Sequence, residues 1–322
     1  MTRPAAAGLG AAILLLILLS LLAPWAPIRG LMARDSTLAA EILIQLRLPR
    51  AILALFYGAV LGASGAAIQA LFANPLASPD LTGTTSGAAL GAVATAYLAG
   101  IASPFAMAFG AVAGAGAALA LLLLLAGPRA ETATFLLAGV AISALAGALT
   151  TLALALAPSP FAFYDAFEWL MGSLVDRSLR EALFAAVPAG FAILFLLRLR
   201  RPLDMLALGE EVAQSLGHDI ARLRLQVVCL TALGVGSCVA VCGAIGFVGL
   251  VAPIFARRLS HGHPGRAIGP ACLVGALLLL ASDLLTRSAP LGRPLPIGVL
   301  TALLGAPFFL WLVVHMRWRF VR

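Results

Sequence analysis

Two arginines, Arg47 and Arg50, stand three residues apart at the start of a long apolar run and could bind carboxylates through their guanidinium groups. At this spacing both side chains fall on one face of a helix. Arginines in such a place can also anchor a helix at a membrane interface, with the charged group reaching toward the lipid headgroups. The two residues alone are equally compatible with membrane anchoring and with docking of an acidic partner.

The sequence lacks the common catalytic and phosphate-binding motifs. It contains no lysine, so a GxxxxGK[ST] phosphate loop is impossible and the chain cannot itself be a P-loop ATPase. It has no HExxH motif, and His261 and His263 lie among arginines, where solvated positive charge is expected. Cys238 and Cys242 are one helical turn apart without a histidine or carboxylate beside them, so we interpret the cysteines as core residues. We therefore predict a non-catalytic protein with no cofactor and no metal.

A polar turn at Asn74-Pro75 separates two glycine-rich helices predicted within residues 47–91. Proline cannot continue a helix and biases the residue before it toward extended backbone, so the first helix must end here. Small residues on one helix face permit close contact between helices. The turn is flanked by two glycine stripes: Gly58, Gly62 and Gly65 before it, and Gly83, Gly87 and Gly91 after it.

The composition predicts an all-α integral membrane protein forming a single domain over residues 1–322. Of the 322 residues, 62% are hydrophobic and 11% charged, and the mean hydropathy is +1.06, which leaves too little polar surface for a soluble globule. Counting residues 244–255 as a short helix gives ten spans with both termini on the same side, whereas a re-entrant segment would leave nine. Apolar runs of spanning length cover 6–23, 48–72, 83–99, 105–126, 133–156, 182–197, 225–241, 268–285 and 297–314.

The distribution of charge predicts cytoplasmic termini. In that orientation the inside segments hold thirteen arginines and six acids, and the outside segments hold eight arginines and seven acids, as the positive-inside rule requires. The net charge of +8 is therefore interpreted as membrane topology and not as affinity for nucleic acid. Within the predicted spans no charged residue lies near the midplane, where ion-coupled carriers usually need one. The energy source is expected to be a separate protein.

One long polar stretch, residues 198–224, lies on the predicted cytoplasmic side. Leu208, Val212 and Leu216 recur every fourth residue, and Gly217 is a plausible helix stop, so a short amphipathic helix is predicted. Its acids, Glu210 among them, would be repelled by anionic lipid, which favours a soluble partner over the membrane surface.

Three further segments carry weaker signals. Residues 24–45 are polar enough to lie outside the membrane, and a short surface helix is predicted through 169–174. A shift of 178 positions places Gly58, Gly65, Ala66 and Pro75 on Gly236, Gly243, Ala244 and Pro253. This indicates an inverted repeat that relates helices 2–5 to helices 7–10, an arrangement typical of transporters.

The chain resembles the FecCD-type, ten-helix permeases of bacterial ABC importers for iron–siderophores, haem and vitamin B12. The motifs that carry the resemblance extend over nearly the whole chain. They are Arg47-Leu48-Pro49-Arg50, Gly65 with Gln69, Asn74-Pro75-Leu76-Ala77 followed by Pro79 and Gly83, Ser86-Gly87-Ala88, Trp169-Leu170 with Gly172-Ser173-Leu174, Leu206-Ala207-Leu208-Gly209 with Leu216-Gly217, Gly243, the run 246–253, the run 295–299 and Gly305-Ala306-Pro307.

The resemblance implies the type II importer permease fold in a bacterial cytoplasmic membrane. It implies a second permease copy (the same chain or a close paralogue), two ABC ATPase subunits inside and a periplasmic substrate-binding protein outside. A ferric siderophore is the first expected cargo, followed by haem and cobalamin. An ion-coupled secondary transporter or channel that needs no partner is the competing hypothesis.

The resemblance also assigns roles to individual residues. The cytoplasmic gate and path would include Asn74, Pro75, Leu76, Gly83 and Gly87. The segment coupled to the ATPase would include Leu206, Leu208, Gly209, Glu210, Val212, Leu216 and Gly217. The arginines that receive acids of the binding protein would be Arg47, Arg50 and Arg287. The family pattern is broken at Pro294, where a glutamate is usual, and at Ile254, where a histidine is usual, so any role of those two groups is in doubt here.

Overall fold

The computed structural model describes residues 3–23, 29–30, 34–97, 103–127, 132–288 and 295–320, and within these ranges every regular element is helical. Helices α1 to α7 are Arg3–Leu22, Ser36–Ile42, Leu48–Leu71, Thr84–Tyr97, Pro104–Ala126, Thr132–Ala155 and Pro160–Leu170. Helices α8 to α14 are Leu179–Arg198, Arg200–Leu206, Glu210–Ser215, Ile220–Cys242, Val248–Leu259, Ile268–Ser288 and Ile297–Phe320. A π-helical turn, Leu43–Arg47, joins α2 to α3, and a 3-10 helix, Pro79–Thr82, precedes α4.

The all-helical membrane fold predicted from the sequence is confirmed, and each of the ten predicted spans corresponds to a helix. Six helical segments in the described ranges are long and apolar enough to cross a membrane, and 7–22 and 297–311 are shorter apolar helices. The second predicted span begins too late, because α2, the π-helical turn and α3 form one continuous helix over 36–71. The polar residues within 36–47 suggested that this segment lies before the helix. They do not interrupt the helical backbone, so the helix begins earlier than predicted.

The short surface helix predicted through 169–174 is wrong in its bounds. The helix there is α7, which runs from Pro160 to Leu170 with Ser159 as its N-cap. Gly172 then adopts a left-handed backbone with φ of 79°, which ends the helix and turns the chain. The helix in this segment was predicted correctly, its position at the membrane interface stays a prediction, and the glycine decides where it stops.

The long helices alternate in direction, which gives the bundle two ends. At one end Arg50 on α3 contacts Asp283 on α13, and we call this the arginine end. At the other end Arg224 on α11 contacts Glu210 on α10, and we call this the Glu210 end. The turn after α3 lies at the Glu210 end, because Phe72 at the tip of α3 packs on Phe135 near the start of α6, and Phe135 lies beside Arg224.

Helix α3 is the central element, and its glycines are the reason. It packs against α8, α11, α12 and α13. A Cβ at Gly62 would overlap the carbonyl of Ala271 on α13, one at Gly65 would overlap the carbonyl of Gly249 on α12, and Gly58 also lies against α13. The predicted contact face is therefore confirmed, since backbones approach this closely only where side chains are absent.

The substitution Gly62→Ala should destabilise the α3–α13 contact by about 1–3 kcal/mol, the usual cost of overpacking a close-packed core. Gly116→Ala is the matched control, because a Cβ at Gly116 meets nothing within 4 Å. Thermal unfolding of the purified protein in detergent would compare the two. Equal melting temperatures for Gly62→Ala and wild type would show that the contact is looser than described.

A buried break in the backbone separates α11 from α12. Gly243 and Phe247 have φ values of 73° and 65°, so neither helix can continue across residues 243–247. The hydroxyl of Tyr57 on α3 donates to the carbonyl of Gly243 at 3.0 Å and accepts from the N–H of Ile245 at 3.2 Å. Non-helical backbone at membrane depth is tolerated where protein groups satisfy it, and Tyr57 does so here.

Candidate functional site

The turn that follows α3 is held by Asn74. Its N–H donates to the carbonyl of Gln69 at 3.2 Å, and its side-chain Oδ1 accepts from the N–H of Leu76 at 2.9 Å. Pro75, which has no N–H, lies between them, and Ala73 has a φ of 46°. Such an Asx turn reverses the chain without a regular element. Asn74, Pro75 and Leu76 are all half-buried, so the tip of the turn stays partly accessible.

Helix α6 clamps the 3-10 helix that continues this turn. The hydroxyl of Ser143 donates to the carbonyl of Asp80 at 3.1 Å. One turn earlier, Gly139 lies against the carbonyl of Leu81, so closely that a Cβ would overlap it. The sequence analysis missed both positions. Their signal is a pair of small residues four apart in an otherwise apolar helix.

Gly83 and Gly87 pack against neighbouring helices of the same chain. Gly83 ends the 3-10 helix with a φ of 76°, and a Cβ there would lie 2.8 Å from the side chain of Ile142 on α6. A Cβ at Gly87 would lie 2.5 Å from that of Ala118 on α5. Both glycines are buried. Their contacts explain why they are small, and a role in a translocation path stays a prediction.

At the Glu210 end, the predicted amphipathic helix is α10, a six-residue helix between two glycines with left-handed backbone, Gly209 and Gly217. Gly217 follows the helix as predicted, but the helix is shorter than predicted, because Gly209 breaks the backbone after Leu208 and Leu216 is already the C-cap. Leu208, Val212 and Leu216 are 60%, 44% and 57% exposed and form an apolar ridge on the outside of the molecule. Exposed apolar side chains in an otherwise polar segment are typical of a protein–protein contact.

The other residues of this segment fasten the ridge to the bundle. Leu206 and Ala213 are buried in the core shared with α3 and α11. Asp204 on α9 accepts from the N–H of Gly265 at 2.8 Å, which ties α9 to the turn before α13. Glu210 forms an ion pair with Arg224 at 3.2 Å. The segment that carries the ridge is therefore fixed to the bundle by core packing, a hydrogen bond and an ion pair.

At the arginine end, the structure brings the three predicted docking arginines together around an open cavity of about 370 Å³. Two of them share a carboxylate that the sequence analysis did not assign: Arg50 Nε donates to Asp283 Oδ1 at 2.7 Å, and Arg287 Nη2 donates to Oδ2 at 2.6 Å. Asp283 is 0% exposed. The spacing of Asp283 and Arg287, four apart on one helix, was the available signal.

Helix α1 completes this cluster by accepting hydrogen bonds from the same arginines. Arg287 Nη1 donates to the carbonyl of Ser20 at 2.8 Å, and Arg47 Nη1 donates to the carbonyl of Leu21 at 2.9 Å. The three arginines outnumber the two carboxylates at this place, the buried Asp283 and the exposed Asp176, so the cavity keeps excess positive charge. A surface of this kind suits a carboxylate-bearing partner, because a guanidinium has several donors in a fixed plane.

A second cavity of about 560 Å³ lies at the arginine end between the ends of α4 and α7 and the start of α14. Its volume is within the range of small-molecule sites. Helix α7, on its rim, leaves Phe161 82% and Tyr164 66% exposed. The polar side chains that line the cavity are Tyr97, Asp165, Glu168, Trp169, Ser173, Asp176 and Arg177.

The two departures from the family pattern are placed differently. Ile254 is half-buried in α12, directly after Pro253. Its neighbour Phe255 stacks on Phe308 of α14 with ring centroids 5.5 Å apart. Pro294 and Arg293 lie outside the described residues.

Comparison with known proteins decides the family. The model of the FecCD transport family matches residues 8–315. The chain belongs to the FecCD transport family. The resemblance inferred from its motifs is thereby confirmed.

Two relatives of this FecCD-family chain are named for different substrates. It is 40% identical over 277 residues to the vitamin B12 import system permease protein BtuC of Citrobacter koseri, covering 85% of the chain and 83% of the relative. It is 38% identical over 274 residues to the Fe(3+)-citrate import system permease protein YfmE of Bacillus subtilis, covering 84% of the chain and 81% of the relative.

A solved structure has the same fold as this chain. It is described as an inward-facing conformation of an ABC transporter of metal-chelate type. The two chains superpose with a TM-score of 0.88 at 30% identity, over 98% of this chain and 100% of the other. The type II importer permease fold predicted from the sequence is therefore confirmed.

Proposed function

We propose that this chain is the membrane permease of a binding-protein-dependent ABC importer and that it moves an iron complex, foremost a ferric siderophore, into the cell. The observation that carries the proposal is the full-length structural match to a transporter of metal-chelate type. The permease itself supplies the path, and ATP is hydrolysed by a separate subunit, since the chain has no lysine for a phosphate loop.

The two ends of the bundle support different partners in this proposal. The apolar ridge of Leu208, Val212 and Leu216 at the Glu210 end suits an ATPase subunit on the cytoplasmic side. The cavity bounded by Arg47, Arg50 and Arg287 at the opposite end suits acidic side chains of a periplasmic binding protein. A second permease copy and two ATPases complete the importer, with both termini of this chain cytoplasmic.

Alternating access follows from this arrangement. Closure of the ATPases on ATP would push the ridge, and the turn at Asn74 at the same end would open or close the path. The turn suits a gate because the hydrogen bonds of Asn74 and one proline set its shape without a regular element, so a small shift of the backbone moves its half-buried tip.

The cargo class also has a second candidate, cobalamin, favoured by 40% identity to the B12 permease of C. koseri. Haem is the third member of the proposed set. Identity cannot separate these cargoes, because the relatives named for B12 and ferric citrate are almost equally similar. Selectivity is expected to reside mainly in the binding protein, since the helices that form the permease bury small apolar residues.

The test is uptake into proteoliposomes holding this permease with its ATPase, supplied with binding protein loaded with ⁵⁵Fe-siderophore, haem or cobalamin. We expect ATP inside the vesicles to drive iron uptake, and omission of either partner to stop it. Uptake by the permease alone on an ion gradient would overturn the proposal in favour of a secondary transporter. Uptake of cobalamin without uptake of the ferric siderophore or haem would overturn the iron assignment, but the chain would still be an importer permease.

A further inference from the structure

Arg224, in the first turns of α11, links the segment at the Glu210 end to the interior of the bundle. Its side chain is 7% exposed, and its Nη2 lies 3.2 Å from Oε1 of Glu210 on α10. On its other side the guanidinium lies over the ring of Phe135 on α6, with Cζ 5.8 Å from the ring centroid. An arginine over an aromatic face is attracted by the ring quadrupole, more strongly where water is excluded.

Phe135 connects Arg224 to the turn at Asn74. Its ring packs on that of Phe72 with centroids 5.7 Å apart and planes inclined by 40°. The two rings are only 2% and 6% exposed. Phe72 ends α3 and stands two residues before Asn74, so four side chains in contact join α10 to the turn.

We propose that Arg224 is the positioning residue that transmits movement of α10 to the turn at Asn74, through Phe135 and Phe72. The inference rests on the proposed function, in which α10 contacts the ATPase and the turn is the gate. The charge-assisted contact between Glu210 and Arg224 ties α10 to the start of α11, so a displacement of one helix moves the other. Close-packed aromatic rings pass such a displacement on, because a packed core shifts between discrete arrangements.

Glu211 offers a matched control for Glu210. Both are glutamates in the first turn of α10 and both are exposed, but Glu210 forms an ion pair with Arg224, whereas Glu211 forms none with the described residues. A role at the ATPase surface alone would make the two carboxylates similarly sensitive. A role through Arg224 makes Glu210 sensitive and leaves Glu211 tolerant.

The experiment measures ATP hydrolysed per cargo molecule imported, in proteoliposomes of the complete importer, together with the affinity of the permease for the ATPase. For Glu210→Gln and Arg224→Met we expect ATPase affinity within about twofold of wild type. We expect ATP consumption per cargo molecule to rise at least about fivefold. Glu211→Gln should leave both quantities unchanged.

A double-variant cycle tests the order of the contacts. If the link runs through Phe135, Glu210→Gln combined with Phe135→Leu should uncouple transport no more than either change alone, because both break the same connection. Fully additive losses would overturn the connection. A wild-type ratio of ATP hydrolysed to cargo imported in Glu210→Gln would overturn it as well. Because Glu210 lies at the surface, this variant keeps the test valid if Arg224→Met fails to fold.

Two outcomes separate this inference from the proposed function. If Glu210→Gln loses ATPase affinity in proportion to transport, the glutamate acts at the interface, and the inference fails while the importer stands. If the wild-type complex shows no ATP-driven uptake at all, the proposed function fails and the inference fails with it.

Discussion

Leu208→Arg is expected to release the ATPase from the permease. Leu208 is 60% exposed on the apolar ridge, directly before the glycine that turns the chain into α10. A charge placed in the centre of a desolvated protein contact typically costs about 2 kcal/mol or more, a loss of roughly thirtyfold in affinity. Co-purification of the tagged permease and the uptake assay would both report the loss.

Gln214→Arg is the control for this variant. Gln214 is an exposed residue of α10 that does not belong to the ridge, so this substitution introduces the same charge six residues further along the same segment. We expect near-normal ATPase binding and uptake for it. Full ATPase binding by Leu208→Arg would contradict the assignment of the ridge to the ATPase.

Asp283→Asn should destabilise the arginine end by about 3–5 kcal/mol, the usual cost of removing one partner from a buried ionic cluster. Asp283 is completely buried and pairs with both Arg50 and Arg287 through two hydrogen bonds of 2.7 and 2.6 Å. An asparagine there leaves two poorly solvated guanidinium groups facing each other. The free energy of unfolding in mixed micelles, measured by titration with a denaturing detergent, tests the prediction.

Asp176→Asn is the matched control at the same end. Asp176 lines the same cavity as the arginines, but it is exposed, and asparagine tolerates its left-handed backbone, with φ of 55°. We expect its stability to stay within about 0.5 kcal/mol of wild type, as for most surface substitutions. Equal stability of the Asp283→Asn variant would show that the cluster is not maintained in the membrane.

Much of the helical framework could be predicted from the sequence because a bilayer imposes strong local rules. A run of apolar residues long enough to cross it must be helical, since no water is present to satisfy the backbone. Helix α3 is an example: its glycine face and its end before Asn74-Pro75 were predicted from residue types, and both are confirmed. The exposure of Leu208, Val212 and Leu216 likewise agrees with the prediction of a contact segment outside the bundle, although only Val212 lies within α10.

The features that escaped prediction depend on partners far apart in the chain. Asp283 lies 233 positions from Arg50, and only the packing of α3 on α13 brings the two charges together. Ser143 holds the 3-10 helix 63 positions away. The local spacing at these positions can mark a residue as a contact, but it does not identify the distant partner, because the free energy of such contacts comes from burial that the whole bundle creates.

By itself, the sequence determined that the protein folds in a membrane, which apolar segments form helices, where glycines allow close helix contact and the family to which the chain belongs. Tertiary structure alone decided which charges are buried as pairs and which remain open to partners. It placed Arg224 between Glu210 and Phe135 and closed Asp283 off from water. The reason is physical: hydropathy and helix-breaking are properties of neighbouring residues, whereas desolvation and charge pairing arise only when distant helices pack.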